Sequence, residues 1–247
     1  MTGVQRPDPL VRLDSTSEAI SDLRDIFAAE EPLDQVLVRV AATAAKAIPD
    51  ADAVSITVRT EPAPRVAAFT DDRIADLDRV QYEAGRGPCL EAMHSQDAVR
   101  VEIPSTAQRW PEFADAARQL GIGACLSVPL LVPDDSQELV GSLNVYSCTA
   151  TAFDPFDEGL MRLYTVAAGQ AITNARRWQQ SRDTIAQLER ALTSRAEIDQ
   201  AKGALMAVHG CTADEAFERL VAQSQRSNTR LHDIAHQLLE SLASMRR

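Results

Sequence analysis

The last of the twelve prolines is Pro155, and residues 156–247 contain none. Proline lacks an amide donor and breaks helix interiors, so a stretch without it is open to long helix. Before Gly203 that stretch holds only two glycines, Gly159 and Gly169. Segments with strand-like alternation all lie upstream. The chain is therefore expected to be α+β, with a mixed N-terminal part and a wholly helical C-terminal part.

At 247 residues the chain fits one large domain or two modest ones. Its 45% apolar and 25% charged residues are those of an ordinary globular protein. No apolar run approaches the ~18–20 residues of a membrane span, and the N-terminal stretch lacks the apolar core of a secretory signal. Cys89, Cys125, Cys148 and Cys211 show no CxxC spacing and no zinc-ligand pattern, so they read as free thiols in a reducing, cytoplasmic setting. No metal site is indicated, and any cofactor stays unknown.

Charge divides the chain. The net −11 splits into −13 for residues 1–175 (14 basic, 27 acidic) and +2 for residues 176–247 (11 basic, 9 acidic). Two modules with different partners are implied. Only Lys46 and Lys202 are lysines among the 25 basic residues.

Ser15 and Glu18 have capping-box spacing ahead of Ile20, Leu23, Ile26 and Phe27, which predicts a helix start. A second helix follows Pro32, with Leu33, Val36, Leu37, Val40 and Ala44 on one stripe. Residues 53–60 alternate and are β-branched, as in a half-buried strand. Further strands are expected at 65–70, 98–103, 123–132 and 139–147. A helix runs from Pro111 to about Leu120. Pro88 follows two glycines at a first helical position. Cys89, next to it, is either a packed thiol or a reactive one at a helix N-terminus. His94 falls on another helical face and supplies it no base. No GxSxG, Walker A or HExxH motif is present, so no catalytic residue is assigned.

Residues 15–175 resemble a GAF domain. The resemblance rests on Ala53–Thr60, Gly85-Arg-Gly-Pro-Cys-Leu90, Leu126-Ser-Val-Pro-Leu-Leu131 and Gly141-Ser-Leu-Asn-Val-Tyr146. It implies an antiparallel sheet flanked by helices, a regulatory role, and a cavity for a small-molecule ligand over the sheet. The cyclic-nucleotide-binding members carry Asn-Lys and then Phe-xxx-Asp-Glu. Here Phe153, Asp157 and Glu158 fit, but Val145 follows Asn144, so the ligand stays unnamed.

Trp178, Ile185 and Leu192 recur every seven residues, with Ser181 and Leu188 between them. This is either a short coiled-coil seam joining two copies of the chain or a helix packed on its own domain. The expected organisation is a tail (1–14), the GAF-like domain (15–175), a helical linker (176–188) and a C-terminal domain (189–247).

In that last domain three helices are expected. Ile198, Ala201, Leu205 and Val208 stripe the first, and Gly210 ends it. Thr212 and Glu215 form a capping box for the second, with Ala213, Ala216, Phe217, Leu220 and Val221 inward. Ser227-Asn228 breaks that helix and caps the third, striped by Leu231, Ile234, Ala235, Leu238, Leu239 and Leu242. Arg195, Lys202 and Met206 share a polar face of the first helix.

Arg195-Ala-Glu-Ile-Asp-Gln-Ala-Lys-Gly-Ala-Leu-Met206, with Gly210, Ala216-Phe217, Leu220, Ser224-Gln225, Asn228 and Leu231, resembles the ANTAR domain of transcription antitermination regulators. The resemblance covers about residues 185–244. It implies binding to RNA hairpin loops in leader transcripts. It places Arg195, Gln200, Lys202 and Gly203 on the RNA side of the first helix, and Ser224, Gln225, Asn228 and Arg230 at the junction of the other two. Ala201 is left to packing. By its residues alone, a three-helix bundle also fits a helix-turn-helix DNA-binding factor or a module for protein contacts.

Overall fold

The computed structural model describes residues 8–28, 30–60, 63–131 and 139–244, and these form two compact units, divided between Gln179 and Gln180. Val132 and the first seven residues, included in the expected strand and tail, lie outside the described residues, as does the side chain of Phe27. Among the described residues no helix is long and apolar enough to cross a membrane.

The first unit is built on five antiparallel strands. These are β1 (Ala53–Val58), β2 (Arg65–Phe69), β3 (Val99–Glu102), β4 (Ala124–Leu131) and β5 (Leu139–Ser147), in the order β2-β1-β5-β4-β3. On one face Val54, Ile56, Leu126, Val128, Leu143 and Val145 meet α1 (Pro9–Ala28), α2 (Leu33–Ala47) and the first turns of α6 (Pro155–His209). The other face is covered by α3 (Asp72–Ala84), α4 (Pro88–Ser95) and α5 (Pro111–Gln119). β1 was expected to be half-buried, yet all six of its residues are buried. It lies inside the sheet with helices on both sides, so even its polar positions are closed off from water.

Two local expectations at the N-terminus are corrected. Ser15 and Glu18 do not start a helix. The helix begins at Pro9, where Asp8 accepts from the Leu10 amide at 2.8 Å, and Ser15 Oγ donates back to the Val11 carbonyl. Residues 9–14, read as tail, are therefore helical. Arg12 among them is almost fully buried and donates two hydrogen bonds to Asp154 at 3.0 and 3.1 Å. Asp154 also caps α6, accepting from the Phe156 and Asp157 amides while Asp157 accepts from the Asp154 amide. Asp157, matched in sequence to a nucleotide-binding motif, is thus a buried capping residue 3.4 Å from Arg12 Nε.

The helix α3 was missed entirely. Asp71 caps its start by accepting from the Arg73 amide, and Gly85 ends it in the left-handed conformation at φ 64°.

The second unit packs the last turns of α6 with α7 (Ala213–Ser227) and α8 (Leu231–Ser244). Its core is small: Ala201, Leu220, Ile234 and Ala235 are buried, with Ile198, Leu205, Leu231, Leu238 and Leu239 half-buried around them. Val208 and Phe217, expected inside, are exposed. The Thr212–Glu215 capping box forms in both directions, at 3.3 and 2.8 Å. Asn228 ends α7 in the left-handed conformation instead of capping α8.

Candidate functional site

The inner side chains of β1 and β5 that face α3 and α4 are polar. Ser55, Thr57, Ser142, Asn144 and Tyr146 are all fully buried there. At their centre stands Asp78 of α3, also fully buried, reached by Ser55 Oγ, the Tyr146 hydroxyl and, at 3.1 Å, Gln81 Nε2. These partners are neutral donors. Burial outweighs them and pushes the Asp78 carboxyl up to about 6. Such a group is costly to hold ionised and belongs among functional-site candidates.

Cys89 sits beside this cluster in the first turn of α4. Its Sγ lies 3.2 Å from Thr57 Oγ1 and 3.1 Å from Ser142 Oγ, and its amide donates to Gln81 Oε1 at 3.0 Å. Burial pushes its thiol up to about 12. The helix position alone predicted lowering. Desolvation wins, and Cys89 is the packed thiol. Of the two preceding glycines only Gly87 serves the same packing, since a Cβ there would come within 2.3 Å of Gln81 Oε1; Gly85 has open space and ends α3. His94 is exposed, on the outside of α4.

In the second unit Arg195 and Gln200 are exposed on α6, and Gly203 has open space around its Cα. Lys202 is less free than its neighbours. Its side chain is 26% exposed, with Nζ 3.4 Å from Asp199 Oδ1 and 5.9 Å from the Phe217 ring centroid. The exposed Phe217 thus gives this face an aromatic surface beside the ammonium. Ser224 is turned inward: its Oγ donates to the Thr229 carbonyl at 2.6 Å. Ser224 and Asn228 therefore shape the α7–α8 turn, while Gln225 and Arg230 present exposed side chains. Ala201 is fully buried, as its packing role requires.

Comparison with known families bears on both units. The GAF domain model matches residues 30–173, more than half of the chain. The chain belongs to the GAF family. Behind the GAF domain, the ANTAR domain model matches residues 186–239. The GAF domain resembles in fold a putative GAF sensor protein from Burkholderia vietnamiensis (16% identity, TM-score 0.51, covering 71% of this chain and 98% of that one). It is similarly related to the free methionine-R-sulfoxide reductase from Neisseria meningitidis, solved in complex with its substrate (14%, 0.51, 72% and 99%). At these identities the likeness concerns the fold. No curated protein matches the chain in sequence.

The polar side of the GAF sheet was missed in the sequence because α3 was missed. The signal was present: Ile74, Leu77, Asp78 and Gln81 follow i, i+3, i+4, i+7 between Asp71 and Gly85. Two polar members hid the stripe. Across the start of the ANTAR match, Ile185, Leu188 and Leu192 are 53, 58 and 68% exposed in the single chain, and Trp178 is half-buried.

Proposed function

We propose that the protein is a non-enzymatic, cytoplasmic transcription antitermination regulator. Its ANTAR domain binds hairpin loops in leader RNA, and its GAF domain regulates that output. The carrying observation is the ANTAR match over residues 186–239, with Arg195 and Lys202 on one face of its first helix and Gln200 exposed on another. Cations on such a face contact phosphates, and amides read the edges of unstacked loop bases. Arg195, Gln200, Lys202, Gly203, Gln225 and Arg230 are the proposed contacts, with Ser224 and Asn228 holding the turn.

Lys202→Ala tests this reading. Alanine favours helix and the Asp199 pair is a surface one, so the fold should be retained. Affinity for hairpin RNA should fall about ten- to hundredfold, with a shallower salt dependence. Titration at two salt concentrations, with circular dichroism as folding control, measures both. Equal affinity in a folded variant would remove this face from the RNA surface. A preference for duplex DNA over hairpin RNA in competition would replace the reading with a helix-turn-helix factor.

We further propose a homodimer with Trp178, Ile185, Leu188 and Leu192 at the seam. Three of the four are more than half exposed, so glutamine at Ile185 and Leu188 should leave the monomer fold intact and raise the monomer fraction at micromolar concentration. Light scattering reads this. A parent chain that is monomeric without RNA would sink the proposal.

The non-enzymatic reading is supported at Cys89, whose thiol is held protonated and buried where a thiol-based reduction needs an accessible thiolate. Turnover of free methionine sulfoxide by the purified chain would overturn it.

A further inference from the structure

The ANTAR match draws attention to the Lys202 face, but α7 has a second flank. Arg219, Gln223 and Arg226 fall on the side of α7 away from Phe217 and Ser224. There they border a groove of about 490 Å³ between α7, α8 and the end of α6. Its floor is apolar: Leu205, Leu220, Ile234 and Leu238. Its rim carries His209, Arg219 and Arg226, together with the amides of Gln223 and Gln237. None of the ten lining residues is acidic, although the chain carries a net −11. The groove is therefore selected for an anionic occupant with an apolar, hydrogen-bonding body.

Arg226 Nη2 donates to Gln223 Oε1 at 2.8 Å, which turns the Gln223 amide so that its NH2 group stays available as a donor. Arg195, Lys202 and His209 are each seven residues apart on α6, within about 40° of one another. The polar stripe of that helix thus ends at the groove, about 20 Å from Arg195 at 1.5 Å per residue, a span of a few nucleotides.

We propose that this groove receives one unstacked base of a hairpin loop. The apolar floor packs the base, Gln223 and Gln237 read its edge, and Arg219 and Arg226 hold the flanking phosphates. A base flipped out of its stack is recognised by just such a combination of packing and edge contacts. The inference rests on the reading of the ANTAR domain as RNA-binding. It extends that reading to Arg219, Gln223, Arg226 and Gln237, which lie outside the family motif.

The test uses the full chain and the tightest-binding hairpin selected from a library with a randomised loop. Single abasic replacements are then placed through that loop. For the parent, one position should cost tenfold or more in affinity. The variant Gln223→Ala/Gln237→Ala should bind the intact hairpin about tenfold more weakly and be indifferent to that same abasic site. The variant Arg219→Ala/Arg226→Ala should also bind more weakly, and its log-affinity against log-salt slope should be shallower by about one to two. All four side chains are exposed, and circular dichroism checks the helices. If both variants bind like the parent while Lys202→Ala does not, the groove proposal is overturned, the RNA reading stands, and the groove belongs to a protein partner. If the parent selects no hairpin at all, both readings fall together.

Discussion

Arg12→Ala should lower the stability of the GAF unit by about 3–5 kcal/mol. Arg12 is 3% exposed and Asp157 is 1% exposed, so the ion pair is closed to water on both sides. The guanidinium also lies 4.7 Å from the Phe156 ring centroid. It holds the Asp154 carboxyl well below the usual carboxylate range, together with the capping amides of α6. Removing the cation leaves Asp157 buried with only the Asp154 amide as partner, and that desolvation penalty is the larger part of the cost. The loss should appear as a lower urea midpoint followed by the fluorescence of Trp110, which is buried in this unit. A double variant, Arg12→Met with Asp157→Asn, should recover part of the loss because both charges are gone. A midpoint within a few tenths of a molar of the parent for Arg12→Ala would show that the clasp is not structural.

The second large effect is a pH dependence set by Asp78. Burial raises its folded-state value from 3.8 to about 6. For an acid with a raised folded value, the folded state binds the extra proton. The favourable contribution is thus fully present below pH 4 and is lost as pH rises through 6. A rise of that size corresponds to about 3 kcal/mol over the window. Asp154 acts in the opposite direction at lower pH, so the comparison must be differential. Subtracting the unfolding free energy of Asp78→Asn from that of the parent should give a difference that falls between pH 4 and 6 and is flat above 7. A difference that rises with pH would mean that Ser55, Tyr146 and Gln81 hold Asp78 ionised.

Much of the chain could be read from local patterns. Pro32, Pro88, Pro111 and Pro155 stand at helix starts, Gly210 at a helix end, and Thr212–Glu215 at a capping box, because these signals depend only on residues a few positions away. The strands at 65–69, 99–102, 124–131 and 139–147 follow alternation for the same reason. The order of a sheet-bearing module and a helical module was also legible, from the proline-free stretch and the change of charge sign at about residue 175.

What local pattern could not supply was anything decided across the fold. Ser15 and Glu18 satisfy the spacing of a capping box, but Arg12 must be helical to reach Asp154, 142 positions away, so the helix starts earlier. The α3 stripe contains Asp78 and Gln81, which look like surface residues until Ser55, Asn144 and Tyr146 are brought under them. Cys89 sits where a helix N-terminus lowers a thiol, but only the sheet beneath it supplies the burial that raises it. The groove beside Arg219 and Gln223 exists only once α8 packs along α7. Local sequence determined most of the elements and their ends, α3 and the start of α1 excepted, through short-range hydrogen bonding and periodicity. Tertiary structure decided which polar groups lose their water, and burial sets the charge and reactivity of those groups.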